Sequence, residues 1–141
     1  MSLKHILMPV DLAFNDIVER EVTMALKLLA DDGVIDMLFV DDTASHRRMA
    51  LTAESDRLAE KYNTTKLAVQ AMLDAVIPER HRGSCIVRNG TVFDEVVAQA
   101  KQSNADAIVM ASAKPKFRSY ILGSNAAKIV RHAPCSVFVV R

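Results

Sequence analysis

Short apolar runs alternate with helical segments along the chain, and this alternation restricts the fold more than any other feature. The runs lie at His5–Val10, Val34–Val40, Cys85–Arg88, Ala107–Ala111 and Ser136–Val140. Short runs that are almost continuously apolar are typical of strands buried on both faces of a parallel sheet. Because strand–helix–strand crossovers are right-handed, the order β-α-β-α-β-α-β-α-β predicts an α/β fold, an open five-stranded parallel sheet with helices on both faces.

Glycine, proline and threonine residues indicate where the helical segments begin and end. Gly33 is placed to end the first helix, directly ahead of the second strand. The second helix is predicted from about Thr52 and ends at Pro78, because proline cannot continue a helix. Thr91 is the expected N-cap of the third helix, and the last helix is predicted over Ser124–His132.

The composition is that of one globular domain. With 141 residues, half of them apolar, the chain is expected to form a single domain over residues 1–141. Lysine and arginine number 18 against 17 acidic residues, so the net charge of +1 provides no basic surface for a nucleic acid. No apolar stretch is long enough to span a bilayer, and the N-terminus has no signal-peptide pattern. We therefore expect a cytoplasmic protein with no membrane or nucleic-acid partner.

The cysteine and histidine residues give no sign of metal or redox chemistry. Cys85 and Cys135 lie at the edges of apolar runs, where a small thiol packs well, and we expect both to be inert. The 4 histidines are scattered, and none falls at a metal-ligand spacing from another candidate ligand. The sequence therefore predicts no metal site.

The loops after strands one, two and four form the predicted binding edge. Open parallel sheets bind ligands beyond the carboxyl ends of their strands, where the strand order reverses. Gly123-Ser124-Asn125 opens the last helix, and the free amides of a first helical turn attract anions. Lys114, Lys116 and Arg118 precede it and could add positive charge. From these residues alone, a phosphate site and an ordinary helix cap both remain open.

Two other nucleotide-binding patterns are missing from the sequence. It contains neither Gly-x-x-x-x-Gly-Lys-Ser/Thr nor Gly-x-Gly-x-x-Gly, which excludes a P-loop site and disfavours a dinucleotide-binding fold. At the end of strand two, a magnesium contact is conceivable at Asp41, although a solvated loop is the simpler interpretation.

The two ends of the chain resemble the universal stress proteins. Residues 8–11 are Met-Pro-Val-Asp, and residues 122–125 are Leu-Gly-Ser-Asn, followed by a short helix and a terminal strand. The loop ahead of Gly123 is similar to that of the nucleotide-binding F and G type subgroup of this UspA-like family. The resemblance implies a Rossmann-like sheet of the adenine nucleotide alpha hydrolase type, with strand order 3-2-1-4-5.

The resemblance also implies an adenine-nucleotide site that takes ATP, alone or with Mg²⁺. In binding members, the first and second strand ends surround the adenosine, while the glycine loop and Gly-Ser hold the phosphates. Carried over, the cofactor-binding residues are Pro9, Val10, Asp11, Val40, Met110, Ala111, Lys114, Gly123, Ser124 and Asn125. Asp11 is then a hydrogen-bond acceptor for the sugar or base, with a helix cap as the alternative. No catalytic residue is assigned.

One departure from the family pattern leaves the ligand open. The first two glycines of the family's phosphate loop are replaced by Ala111 and Lys114. We therefore weigh a dimeric ATP-binding protein of the stress response, with signalling or protective action and at most very slow hydrolysis, against a dimeric interaction module without nucleotide. An enzyme acting on an adenylated or phosphorylated substrate is a third alternative. In either leading case the resemblance implies a homodimer through the strand Ser136–Val140.

Overall fold

A computed structural model describes residues 3–12, 15–43, 52–112 and 123–141. Five parallel strands form one sheet in the order β3-β2-β1-β4-β5, as predicted. The strands are β1 (Leu3–Pro9), β2 (Leu29–Asp41), β3 (Arg82–Asn89), β4 (Ala107–Ala111) and β5 (Ser136–Val140). The helices are α1 (Asn15–Leu28), α2 (Thr52–Val76), α3 (Val92–Ser103) and α4 (Ser124–His132).

The helices cover both faces of the sheet, and each face has its own apolar layer. On the first face, α1 and α2 pack on side chains such as Ile6 and Met37. On the second face, α3 and α4 pack on side chains such as Leu7 and Ile108. Neighbouring strand residues point to opposite faces, so the almost continuously apolar runs of the sequence are needed to fill two layers. Among the described residues, no helix is sufficiently long and apolar to cross a membrane.

The prediction that Gly33 ends the first helix is wrong. Helix α1 ends at Leu28 and β2 begins at the next residue, so that Gly33 lies inside the strand. The register with β1 slips there, from Leu29 opposite Leu3 to Val34 opposite His5. A Cβ atom on Gly33 would lie 2.5 Å from a methyl carbon of Leu29. The glycine is therefore explained by close packing at a bulge, which local helix signals do not reveal.

Two smaller expectations also change. Strand β3 begins at Arg82, ahead of the apolar run that predicted it, because it continues pairing with β2. Thr91 does occupy the N-cap position of α3, but its side chain makes no capping hydrogen bond. Its carbonyl oxygen instead accepts the N–H of Glu95 at 3.0 Å.

Candidate functional site

The carboxyl ends of β1 and β4 lie side by side, and the direction of the chain through the sheet reverses between them. From β1 the following strands continue toward β3, whereas from β4 the last strand lies on the opposite side. This is the switch point at which open parallel sheets bind ligands. The predicted site residues fall on the strand ends and the helix start around it.

The end of β1 contributes Pro9, Val10 and Asp11, all of them half-buried. The N–H of Val10 donates to the carbonyl oxygen of Leu38 at 2.9 Å, which extends the pairing with β2 beyond Pro9. Proline has no N–H to offer, so it fits at the last position of the strand. This fixed backbone carries Asp11 to the binding edge.

The end of β4 is connected to the start of α4 by a hydrogen bond. Met110 is buried, and Ala111 pairs with Val140 of β5. Directly after them, the N–H of Ser112 donates to the carbonyl oxygen of Val140 at 3.0 Å. The carbonyl oxygen of Ser112 then accepts the N–H of Gly123 at 3.2 Å. Helix α4 consequently begins beside the end of β4, although ten residues of sequence lie between Ser112 and Gly123.

Gly123, Ser124 and Asn125 are exposed at the N-terminus of α4. The N–H of Gly123 donates to the carbonyl oxygen of Ser112. The first hydrogen bond of the helix is donated by the N–H of Ala127 to the carbonyl oxygen of Gly123, at 3.0 Å. By helix geometry the amides between them have no acceptor within the helix, and no side chain caps this end in the described part of the chain. Such amides attract an anion by hydrogen bonding and through the helix dipole.

Gly123 allows the close approach between α4 and β4. A Cβ atom at this position would lie 3.3 Å from the carbonyl oxygen of Ser112, which is tighter than ordinary contact. Lys114 cannot be placed in this arrangement, because it lies outside the described residues together with Lys116 and Arg118. Nine of the ten predicted residues can therefore be placed. Eight of them lie at the ends of β1 and β4 and the start of α4, and the ninth, Val40, lies near the end of the neighbouring strand β2.

Asp41, which follows Val40, is engaged by its own neighbours. Its carboxylate accepts the N–H of Thr43 at 3.0 Å and pairs with Lys61 of α2 at 3.3 Å. Partial burial by itself raises the pKa of Asp41, but the hydrogen bonds from Thr43 and the charge of Lys61 outweigh it and lower the pKa. A simple solvated loop is therefore the wrong description. No cluster of three metal-ligand side chains occurs within the described ranges.

Glu21 is a residue of this region that sequence reasoning missed. It lies on α1 with 2% of its surface exposed, and burial, followed by the negative charge of Asp11, raises its pKa to about 8. A signal was present in the sequence, because Glu21 stands three residues after Val18 and four before Ala25 on the apolar stripe of the helix. A charged residue on such a stripe indicates an unusual environment.

The two cysteines are half-buried free thiols. Burial raises the pKa of Cys85, although the charge of Lys66 opposes the shift. Burial and then the negative charge of Asp106 raise the pKa of Cys135. Since the thiolate is the reactive form, both shifts agree with the expectation of inert thiols.

Comparison with known proteins identifies the family. The model of the Universal stress protein family matches residues 2–141. The chain belongs to the universal stress protein family. It is 35% identical over 140 residues to universal stress protein G of Shigella flexneri, a match that covers 98% of this chain and 99% of the relative.

Solved universal stress proteins share the fold. The protein UspA from Lactobacillus plantarum matches with a TM-score of 0.68 at 21% identity, covering all of this chain and 99% of the other. A universal stress protein from Archaeoglobus fulgidus, solved in complex with dAMP, matches with a TM-score of 0.60 at 18% identity and full coverage of both chains. At these identities, the two structures support the Rossmann-like architecture.

Proposed function

We propose that this universal stress protein binds an adenine nucleotide, ATP being the physiological ligand, at the carboxyl ends of β1 and β4. It acts in the stress response as a dimeric, cytoplasmic signalling or protective protein. The observation that carries the proposal is the hydrogen bond between Ser112 and Gly123, because it brings the N-terminal amides of α4 to the switch point of the sheet. Strand ends and helix amides then form one edge.

The residues at this edge match the parts of an adenine nucleotide. The N-terminal amides of α4 and the Ser124 hydroxyl suit phosphate oxygens. Asp11 and the backbone after β1 suit the polar edge of the ribose or base. Asp41 is already paired with Lys61, so a magnesium ion would have the nucleotide phosphates as its main ligands. The family relative solved with dAMP supports the same ligand class.

An interaction module without nucleotide is the competing function. It is favoured by Ala111 and Lys114, which stand at two glycine positions of the family's phosphate loop. A side chain at such positions restricts the backbone torsions that a glycine loop uses to surround phosphates. Neither function requires a catalytic residue, and we assign none.

Mass spectrometry of the denatured protein after purification separates the two functions. We expect co-purified ATP or AMP, and a rise in melting temperature when millimolar ATP is added, since a ligand that binds only the folded state stabilises it. No adenine in the sample together with no thermal shift would favour the interaction module.

A variant of Gly123 tests where the phosphates bind. Gly123→Val adds bulk at the start of α4, and we expect ATP affinity to fall at least about tenfold while the sheet stays folded, because among the described residues one carbonyl contact at 3.3 Å has to adjust. Ala127→Val is the control, since it adds comparable volume on an exposed face of the same helix. Calorimetric titration gives the affinities, and circular dichroism checks the fold. Equal binding by Gly123→Val and the parent would mean that the phosphate site is misplaced.

A further inference from the structure

Lys61 of α2 is connected to the end of β2 by polar contacts that the proposed function leaves without a role. Its Nζ lies 3.3 Å from Oδ2 of Asp41 and donates to Oγ1 of Thr43 at 2.9 Å. The Thr43 hydroxyl in turn donates to Oδ1 of Asp41 at 2.5 Å, and the Thr43 N–H donates to the same oxygen at 3.0 Å. Both carboxylate oxygens of Asp41 are therefore engaged, and the side chains form a closed ring of contacts.

Apolar packing does not fill the space beside this ring. A cavity of about 70 Å³ lies between α2 and the ends of β2 and β3, with Leu58 and Tyr62 of α2 and Val87 and Asn89 of β3 among its walls. Protein interiors are close-packed in general, so a cavity removes contacts that hold a helix in place elsewhere. The polar contacts of Lys61 therefore connect α2 to the end of β2 where close packing is missing.

The backbone of Val40 is directed toward the strand end where the nucleotide is proposed to bind. The N–H of Val10 donates to the carbonyl oxygen of Leu38 at 2.9 Å, so Leu38 faces β1. The carbonyl oxygen of Asp41 accepts the N–H of Gly90 at 3.1 Å, so Asp41 faces β3. Because backbone groups alternate in direction along a strand, Val40 directs its N–H and its carbonyl group toward the side of β1. The pairing with β1 extends as far as Leu38, and Val40 lies beyond it at the binding edge.

Asp41 determines how the carbonyl group of Val40 is oriented. The Val40 carbonyl and the Asp41 N–H belong to one peptide group, which is planar, so the two move together. The contacts with Thr43 and Lys61 fix the side chain of the residue on one side of this peptide group. Hydrogen bonds weaken steeply when donor and acceptor are misaligned, so a small rotation of the peptide group weakens a bond to a ligand.

We propose that Lys61 is a positioning residue for the base of the nucleotide: through Asp41 it holds the Val40 carbonyl in place, and it thereby determines the selectivity for adenine. This inference rests on the function proposed above. Adenine presents an N–H donor next to a ring-nitrogen acceptor, which suits the carbonyl and the N–H of one backbone residue. Hypoxanthine, the base of ITP, has an oxygen acceptor and a ring N–H donor in those two positions, so each group meets its own kind.

Calorimetric titration with ATP and ITP tests the inference through the ratio of the two affinities. We expect the parent to prefer ATP by at least about tenfold, because ITP leaves the backbone groups of Val40 unpaired. Lys61→Met keeps the length of the side chain but removes the charge and the N–H donors. In this variant the preference for ATP should fall at least about fivefold, through weaker binding of ATP. Lys61→Arg restores a cation at the same position and should keep the parent ratio.

A merely structural role for Lys61 would leave this ratio unchanged. Because 51% of the Lys61 side chain is exposed, loss of its ion pair should change the melting temperature by less than about 3 °C. Lys66→Met is the matched control on the same helix, since the Lys66 ammonium group lies 5.9 Å from the centre of the Tyr62 ring and away from this ring of contacts. We expect Lys66→Met to retain the parent preference for ATP.

The outcomes separate this inference from the proposed function. If Lys61→Met keeps the parent ratio, or if the parent binds ATP and ITP equally, nucleotide binding stands and the role of Lys61 is overturned. An equal fall of the ratio in Lys66→Met would assign the effect to the charge of α2 and would also overturn it. If the parent binds neither nucleotide, the proposed function fails, and the role of Lys61 fails with it.

Discussion

Glu21 affects the stability of the protein. Its pKa is raised from 4.5 to about 8 on folding, so between these pH values the unfolded chain loses a proton that the folded chain retains. The free energy of unfolding therefore decreases as the pH rises from 4.5 to about 8 and is constant outside this window with respect to Glu21. Between pH 4.5 and pH 7, the ionisation of Glu21 in the unfolded chain lowers the free energy of unfolding by at most about 3 kcal/mol.

Glu21→Gln should remove this pH dependence. At pH 7 we expect its free energy of unfolding to exceed that of the parent by about 2 to 3 kcal/mol, and at pH 5 by less than about 1 kcal/mol. Urea denaturation at several pH values measures both. Glu19→Gln, which changes an exposed glutamate of the same helix, should show no such trend. A difference between parent and Glu21→Gln that is the same at pH 5 and pH 8 would contradict the assignment.

At the scale of elements, Asp36 holds three strands together at the amino-terminal end of the sheet. Its Oδ2 lies 2.5 Å from Nε2 of His5 on β1, and its Oδ1 accepts the N–H of Ser84 on β3 at 2.7 Å. Gly83 is needed beside it, because a Cβ atom there would collide with the Asp36 carboxylate. Asp36 is buried, at 6% exposure. These contacts fix β1, β2 and β3 at the end of the sheet opposite to the proposed site.

Asp36→Ala should weaken the sheet because it leaves the His5 side chain and the Ser84 N–H without their acceptor. We expect a loss of about 2 to 4 kcal/mol in the free energy of unfolding, measured by urea denaturation. The control is Asp32→Ala, also on β2, where an exposed pair with Lys4 at 3.4 Å is lost. That change should cost less than about 1 kcal/mol. Comparable losses in the two variants would show that the buried contacts of Asp36 add nothing.

At the scale of the whole molecule, β5 is the edge strand through which we propose that two copies of the chain pair. Among the described residues it pairs with β4 alone, and its residues Val137 to Val140 are half-buried in the single chain. The carbonyl oxygen of Val140 faces β4, because it accepts the N–H of Ser112. Backbone groups alternate in direction along a strand, so the N–H of Val139 faces the open edge. An unpaired apolar edge of this kind favours association with a second copy.

Val139→Pro should convert the dimer into a monomer. The substitution removes an N–H that faces the open edge and leaves the pairing of β5 with β4 intact, since proline is tolerated on an edge strand. Val139→Ala retains the N–H and is the control expected to stay dimeric. Size-exclusion chromatography with light scattering gives the mass of each. A dimer that persists in Val139→Pro would place the interface elsewhere.

The sequence by itself determined the order of elements and several of their bounds. Strands β4 and β5 and helix α4 have the predicted limits, because each is bounded by short-range signals such as Pro134. The strand order and the candidate edge followed from the family resemblance and the rule for open sheets. Lys114 is the one predicted site residue that stays a prediction, since it lies outside the described ranges.

Only the tertiary structure decided the contacts between residues far apart in sequence. Gly33 lies inside β2 because of its packing against Leu29, and the start of α4 meets β4 because Gly123 donates to Ser112. The raised pKa of Glu21 depends on the layer above it and on Asp11 in another element. Local periodicity encodes which face of a segment is buried, but not which group lies opposite it. That partner is set by the packing of the whole sheet.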